Sequence, residues 1–229
     1  MKALDAAANT GNDVSNAVFS IVDGNSPVAT VTSPNGGETW AAGSLHNITW
    51  TATDNIAVTS ITLEYSTNNG GAYTTIATGE ANDGTYAWTV PQVVSTQALV
   101  RVKAFDAAAN TGSDVSNAVF TIADQSAPGV TVTAPNGGEN WTAGDTHAIT
   151  WTATDNIGVT SVDIAYSIDG GTNWLPVATG EANDGTYNWV VPNSPATTVL
   201  VRVTAKDAAN NSAFDASNAV FTISAQSAV

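Results

Sequence analysis

From Val28 to Ile122 the chain runs in short stretches where apolar and polar residues alternate, broken by Gly, Pro, Asn and Asp. A period of two over five to eight residues is the signature of a half-buried β-strand. Seven such stretches, lettered A to G, are predicted. A is Val28 to Ser33, and B is His46 to Thr53 with Ile48, Trp50 and Ala52 on one face. C sets Ile61, Leu63 and Tyr65 against Thr62 and Glu64, and D is Tyr73 to Thr78. E is Thr85 to Val90, with Tyr86, Trp88 and Val90 inward and Pro91 ending it. F is Leu99 to Asp106 with Val100, Val102 and Ala104 inward; G is Asn117 to Ile122 with Ala118, Phe120 and Ile122 inward. Asn69-Gly70-Gly71 closes the C–D hairpin, and Pro34-Asn-Gly-Gly37 turns the chain between A and B. No stretch carries a helical period, so the pattern predicts an all-β, two-sheet sandwich of seven strands.

The pattern then repeats at a constant spacing of 101 residues: Trp40 returns as Trp141, Trp50 as Trp151, Trp88 as Trp189, Arg101 as Arg202 and Phe120 as Phe221. Residues 27–124 are therefore read as one sandwich domain, and 125–229 as a linker and a second. The run Leu4 to Phe19 matches Phe105 to Phe120 at the same spacing. It reads as the C-terminal fragment of a preceding repeat plus linker, 1–26, carrying an orphan strand G at Asn16 to Ile21. Comparing the copies assigns faces: Phe105 becomes Lys206, marking a solvated position, while Val102 and Trp88 persist as Val203 and Trp189. Trp50, Trp88, Trp151 and Trp189 read as core aromatics. Trp40, Trp141 and Trp174 flank loops, where they either cover an end of the sandwich or form an exposed ligand-binding strip.

Pro34-Asn-Gly-Gly-Glu-Thr-Trp40-Ala-Ala-Gly43, Ile48-Thr-Trp50, Tyr65-Ser66, Trp88-Thr-Val-Pro91 and Ser116-Asn-Ala-Val-Phe120 together resemble the Ig-like or fibronectin-III-like repeats of secreted bacterial and archaeal proteins. They are also similar to the β-sandwich domain of the Ser/Thr-rich, lipid-anchored yeast cell-wall family. The resemblance implies an extracellular, modular setting, as an appendage of an enzyme or adhesin, and it carries no catalytic residues.

Charge sharpens this. Twenty acidic side chains against five basic give a net −15, which disfavours nucleic acid and anionic membrane surfaces. There is no Cys for disulfide or thiol chemistry, and no apolar run long enough to span a bilayer. Nothing apolar follows Met1-Lys2, so any export signal is expected farther upstream. The two histidines, His46 and His147, occupy equivalent positions opening strand B, with no second His for a zinc site or a nucleophile–base pair. No enzymatic activity is expected.

The acidic residues concentrate in loops. In such a sandwich the BC, DE and FG loops share one end, which gathers Asp54, Glu80, Asp83, Asp106, Asn110 and Asp114, with Asp23 arriving from the linker. The second copy gathers Asp124, Asp155, Glu181, Asp184, Asp207, Asn211 and Asp215. Carboxylate, amide and carbonyl oxygens in this density suit Ca²⁺; the alternative is a set of solvated turns. The short Pro-bearing linkers 22–27 and 123–128 restrict the angle between neighbours. The expected role is a non-catalytic structural or adhesive spacer of a secreted or cell-surface repeat array, with neighbouring repeats as partners and Ca²⁺ stiffening the ends. Two alternatives stand beside it: an accessory module of a secreted hydrolase binding surface polysaccharide or protein, and a filament subunit that self-associates through the N-terminal strand.

Overall fold

The computed structural model describes residues 1–226 and contains two all-β sandwiches. Nine strands make up the first: β3 (Val28–Ser33), β4 (Thr39–Ala41), β5 (Leu45–Thr53), β6 (Val58–Ser66), β7 (Thr74–Glu80), β8 (Thr85–Thr89), β9 (Ser95–Asp106), β10 (Thr111–Val115) and β11 (Phe120–Ala123). The second repeats them as β12 (Gly129–Ala134), β13 (Asn140–Thr142), β14 (Thr146–Thr154), β15 (Val159–Ser167), β16 (Leu175–Glu181), β17 (Thr186–Val190), β18 (Ala196–Asp207), β19 (Ser212–Ala216) and β20 (Phe221–Ser224). One sheet has the order β3-β5-β8; the facing sheet runs β4-β11-β9-β6-β7, with β10 also paired to β9. β7 pairs with β6 rather than β8, so the fourth main strand lies in the sheet of C, F and G.

The core follows the alternation. Ile48 and Trp50 of β5, Trp88 of β8 and Val31 of β3 face Leu63 of β6, Val100 and Val102 of β9, and Phe120 and Ile122 of β11; all are buried. Val132, Ile149, Trp151, Ile164, Val203 and Phe221 do the same in the second domain. Trp50 Nε1 donates to Asn82 Oδ1 at 3.2 Å, and Asn82 Nδ2 donates to the Ala52 carbonyl at 2.9 Å. The indole's polar edge is thereby satisfied, and the loop after β7 is tied to the end of β5.

Two short strands go beyond the seven expected. β4 runs parallel to β11, with Trp40 opposite Ile122. The segment read as an open FG loop is instead a hairpin, in which β10 pairs back onto β9 from Thr111–Phe105 to Val115–Arg101. Strand G begins at Phe120 rather than Asn117, because the preceding backbone groups bond the AB corner: Asn117 N donates to Asn35 Oδ1 and Ala118 N to the Asn35 carbonyl. Glu38 organises that corner by accepting from Asn35 N and Gly36 N, both at 2.7 Å. Burial raises its carboxyl, but these backbone donors outweigh it and hold the carboxyl below its ordinary value, as they do for Glu139. The Pro-Asn-Gly-Gly-Glu motif is thus a structural corner.

The orphan segment departs from expectation. It forms a small hairpin of β1 (Lys2–Leu4) and β2 (Thr10–Asn12), whereas Asn16 to Ile21, expected as a strand, lies outside any strand. In the full domains this strand is held between β9 and β4; its N-terminal counterpart has neither neighbour, and Val18, Phe19 and Ile21 are exposed.

Candidate metal centre

Each domain brings three carboxylates together at the end where its linker enters. Asp23, Asp54 and Asp106 each offer an oxygen within 4.8 Å of the others, and so do Asp124, Asp155 and Asp207. The first member comes from the linker, the second from the turn after β5 or β14, and the third ends β9 or β18. Asp106 and Asp207 are almost fully buried, at 5% and 3% exposure.

Local hydrogen bonding aims each group. Asn110 clamps Asp106, its N–H on Oδ1 at 2.8 Å and its Nδ2 on Oδ2 at 2.7 Å; the same Nδ2 reaches the Asp23 carbonyl at 3.2 Å. Asn211 repeats all three contacts on Asp207 and Asp124. Asp54 Oδ2 accepts from Ile56 N and Ala57 N, while its Oδ1 is buried without a hydrogen-bond partner. Asp155 Oδ2 accepts from Ile157 N and Gly158 N. The Gly158 N–H, more than the small opposing effect of burial, holds the Asp155 carboxyl below its usual range. Asp23 Oδ1 takes Asn25 N and Asn55 Nδ2, and Asp124 Oδ1 takes Ser126 N.

Two ionised carboxylates at 4.8 Å repel by roughly 3 kcal/mol at an effective dielectric of about 20. Positive charge between the three groups would relieve this repulsion in either cluster, and in the first it would also partner the buried Asp54 Oδ1. The donors are all hard oxygens, and carboxylates that bind in one- or two-oxygen fashion, completed by water, suit Ca²⁺ better than the strict octahedron of Mg²⁺.

The remaining expected ligands stand elsewhere. Asp114 and Asp215 lie on β10 and β19, where their Oδ2 atoms accept from Val31 N and Val132 N at 2.8 Å and bridge the two sheets. The cause is the F–G hairpin: read as loop, these residues were free to reach the cluster, but pairing fixes them beside strand A. Asp83 and Asp184 accept from Thr85 N and Thr186 N within their own turns. Asn110 and Asn211 serve the cluster through N–H groups that orient its carboxylates.

Trp40 and Trp141 do not form an exposed strip. They are 7% and 8% exposed, packed against Phe120 and Phe221, and stacked on His46 and His147 at 4.4 and 4.6 Å. Trp174 is half-buried beneath Arg202.

The second cluster lies at the junction between domains. Ile157, in the turn beside Asp155, packs on the core of the first domain, and the side-chain amides of Asn156 and Gln92 meet at 2.9 Å. A cleft of about 500 Å³ alongside is lined by Val94, Ile122, Asp124, Ile157 and Ala208. Sequence reading missed Ile157 because it occupies a polar loop; its signal was an apolar side chain, shared with Ile56, inside an otherwise polar turn.

Residues 128–203 match the profile of the bacterial Ig domain, and residues 33–122 that of the Kre9/KNH-like N-terminal Ig-like domain. Among solved structures, the fibronectin(III)-like modules of Clostridium thermocellum CbhA are 20% identical, with 86% of this chain and 93% of that one covered at a TM-score of 0.36. Mouse cadherin-23 EC22-24 is 15% identical over 88% of this chain and 67% of that one, TM-score 0.38. The N-terminal Ig1-2 module of the Drosophila receptor protein tyrosine phosphatase DLAR is 12% identical over 87% and 100%, TM-score 0.28. No curated protein matches the chain. Each of the two sandwiches thus matches the profile of an Ig-like domain. Among the described residues no helix is long and apolar enough to cross a membrane.

Proposed function

We propose that this chain is a non-catalytic spacer from the exterior of a cell, in which Ca²⁺ fixes the angle between successive Ig-like domains. The observation that carries the reading is the origin of the second cluster. Asp124 follows β11 of the first domain directly, whereas Asp155 and Asp207 belong to the loops of the second. An ion held by all three ties the exit of one domain to the entrance of the next. Ile157 and the Asn156–Gln92 contact already bring the same surfaces together. Extracellular modules typically hold Ca²⁺ at millimolar to submillimolar Kd, matched to the medium outside cells.

The test is thermal. A ligand that binds only the folded state stabilises it by RT ln(1 + [L]/Kd), about 2.7 kcal/mol at a hundredfold excess over Kd. Millimolar Ca²⁺ is expected to raise the melting temperature and chelator to lower it. NaCl at matched ionic strength controls for general screening of a −15 chain. Asp106→Asn and Asp207→Asn are each expected to remove part of the Ca²⁺ increment. Equal responses to Ca²⁺ and NaCl, with both variants silent, would leave the clusters as solvated turns. A second reading, ligand binding on a sheet face, is favoured by one observation in the second domain.

A further inference from the structure

One difference between the domains on the outer face of the larger sheet removes an ion pair. In the first, Arg101 lies over the Tyr73 ring at 3.7 Å and is paired through Nε with Glu64 Oε2 at 2.6 Å; Lys103 shares the same carboxylate. In the second, the equivalent of Glu64 is Ala165, the equivalent of Tyr73 is Trp174, and the equivalent of Ser113 is Phe214. Ala165 still sits directly opposite Arg202 in the sheet. Arg202 has therefore lost its carboxylate, and its guanidinium lies between Trp174 at 4.5 Å and Phe214 at 5.3 Å. Its Nε is buried and has no hydrogen-bond partner. The domain's other cation, Lys206, is spent on Asp163.

A buried guanidinium N–H without an acceptor is costly, and an aromatic clamp alone does not satisfy it. What the first domain supplies from within, the second leaves to an external group. Arg presents a planar fork that matches a carboxylate. The rings on either side exclude water from that pairing and offer apolar contact to C–H groups around it. Phe214 is 64% exposed, so its ring can reorient around a ligand without disturbing the core.

The surroundings select the kind of ligand. Thr204 stands on the same face, opposite Asp163 on one side and Phe214 on the other, and Asn173 and Asp169 lie beside Trp174. One unpaired cation among carboxylates, amides and hydroxyls suits a ligand that presents each carboxylate beside hydroxyl donors. A run of acidic side chains has the carboxylate but lacks the hydroxyls that Thr204, Asn173 and Asp169 are placed to engage. We propose that the Trp174–Arg202–Phe214 face of the second domain binds a sugar ring that carries one carboxylate, the repeating unit of an acidic polysaccharide. The site is separate from the acidic clusters and stands whether or not they hold Ca²⁺.

The experiment is a calorimetric and NMR titration of the full chain with oligogalacturonate, with a neutral glucose oligosaccharide and oligoglutamate in parallel, at constant ionic strength and in chelator. Oligogalacturonate is expected to bind and to shift the Trp174 indole and Phe214 ring signals, with the other two at least tenfold weaker. Ala165→Glu rebuilds the internal pair of the first domain at the half-buried position opposite Arg202 and is expected to weaken binding at least tenfold. Arg202→Gln should do the same and Arg202→Lys nearly so, whereas Arg101→Gln in the first domain should change nothing. Absence of binding, equal binding of the neutral sugar, equal or tighter binding of oligoglutamate, or an Ala165→Glu variant that binds as before would each overturn the proposal.

Discussion

A single substitution between the repeats separates geometry from charge. Asn68 and Asp169 cap the same hairpin: Asn68 Oδ1 accepts from Ala72 N at 2.9 Å, and Asp169 Oδ1 accepts from Asn173 N at 2.9 Å. The turn is the same, but only the second copy titrates. Donation from the Asn173 backbone, then from its side chain at 2.6 Å and from Ser167 Oγ at 2.7 Å, pulls the Asp169 carboxyl from 3.8 down to about 2. A depressed carboxyl contributes stability that is complete above its unfolded value and is lost as pH falls through its folded one. Between pH 4 and 1 the Asn173 amide is therefore expected to shift in an NMR titration with a midpoint near 2, while Ala72 stays still and Asp169→Asn flattens the curve. A midpoint near 3.8 would show that these hydrogen bonds do not persist in solution.

Among the elements, the AB corner decides how the two sheets close. Gly36 has φ of +126°, and a Cβ there would lie 2.5 Å from the Ala118 Cβ; Gly37, at +83°, has open space around it. Gly36→Ala combines backbone strain with a clash against the F–G corner and is expected to cost roughly 1–3 kcal/mol, more than Gly37→Ala. For a domain of this size each ~1 kcal/mol lowers the melting temperature by about 4–8 °C, which thermal unfolding resolves. The sequence made the Gly-Gly turn visible but not what it touches. The same limit applies across the fold. Alternation at Ile48-Thr-Trp50 or Val100-Arg-Val102 announces a strand because one face is core, so the main strands and their inward residues were legible, except Ala118, which is exposed at the corner before β11. β4 and β10 were not, since three residues or a Thr-Gly-Ser-Asp run carry no periodicity of their own and are strands only because β11 and β9 lie alongside. That pairing also sorted the candidate ligands. Asp54 and Asp106 close β5 and β9 at one pole, where the linker brings Asp23, whereas Asp114 sits within a strand and is held to Val31.

For the whole molecule, the junction combines two kinds of contact that respond to different conditions. Ile157 packs on the first domain's core regardless of ions, whereas Asp124, Asp155 and Asp207 repel one another unless positive charge intervenes. The apolar contact therefore sets a default arrangement, and the cluster either reinforces or loosens it. Interdomain orientation, followed by residual dipolar couplings and small-angle scattering, separates the two. In Ca²⁺ the wild-type chain is expected to show one narrow distribution of orientations that broadens in chelator. Asp124→Asn should look like the chelated protein even in Ca²⁺, yet add nothing once chelator is present. Ile157→Ser should broaden the distribution under both conditions, because water replaces an apolar contact that no ion supplies. Its counterpart Ile56, 70% exposed, provides the control, since Ile56→Ser removes no contact between the two domains and should leave their orientation unchanged. If Asp124→Asn and Ile157→Ser broadened the distribution identically in both conditions, the cluster would have no ion-dependent part in the junction, and the contact around Ile157 alone would set the angle.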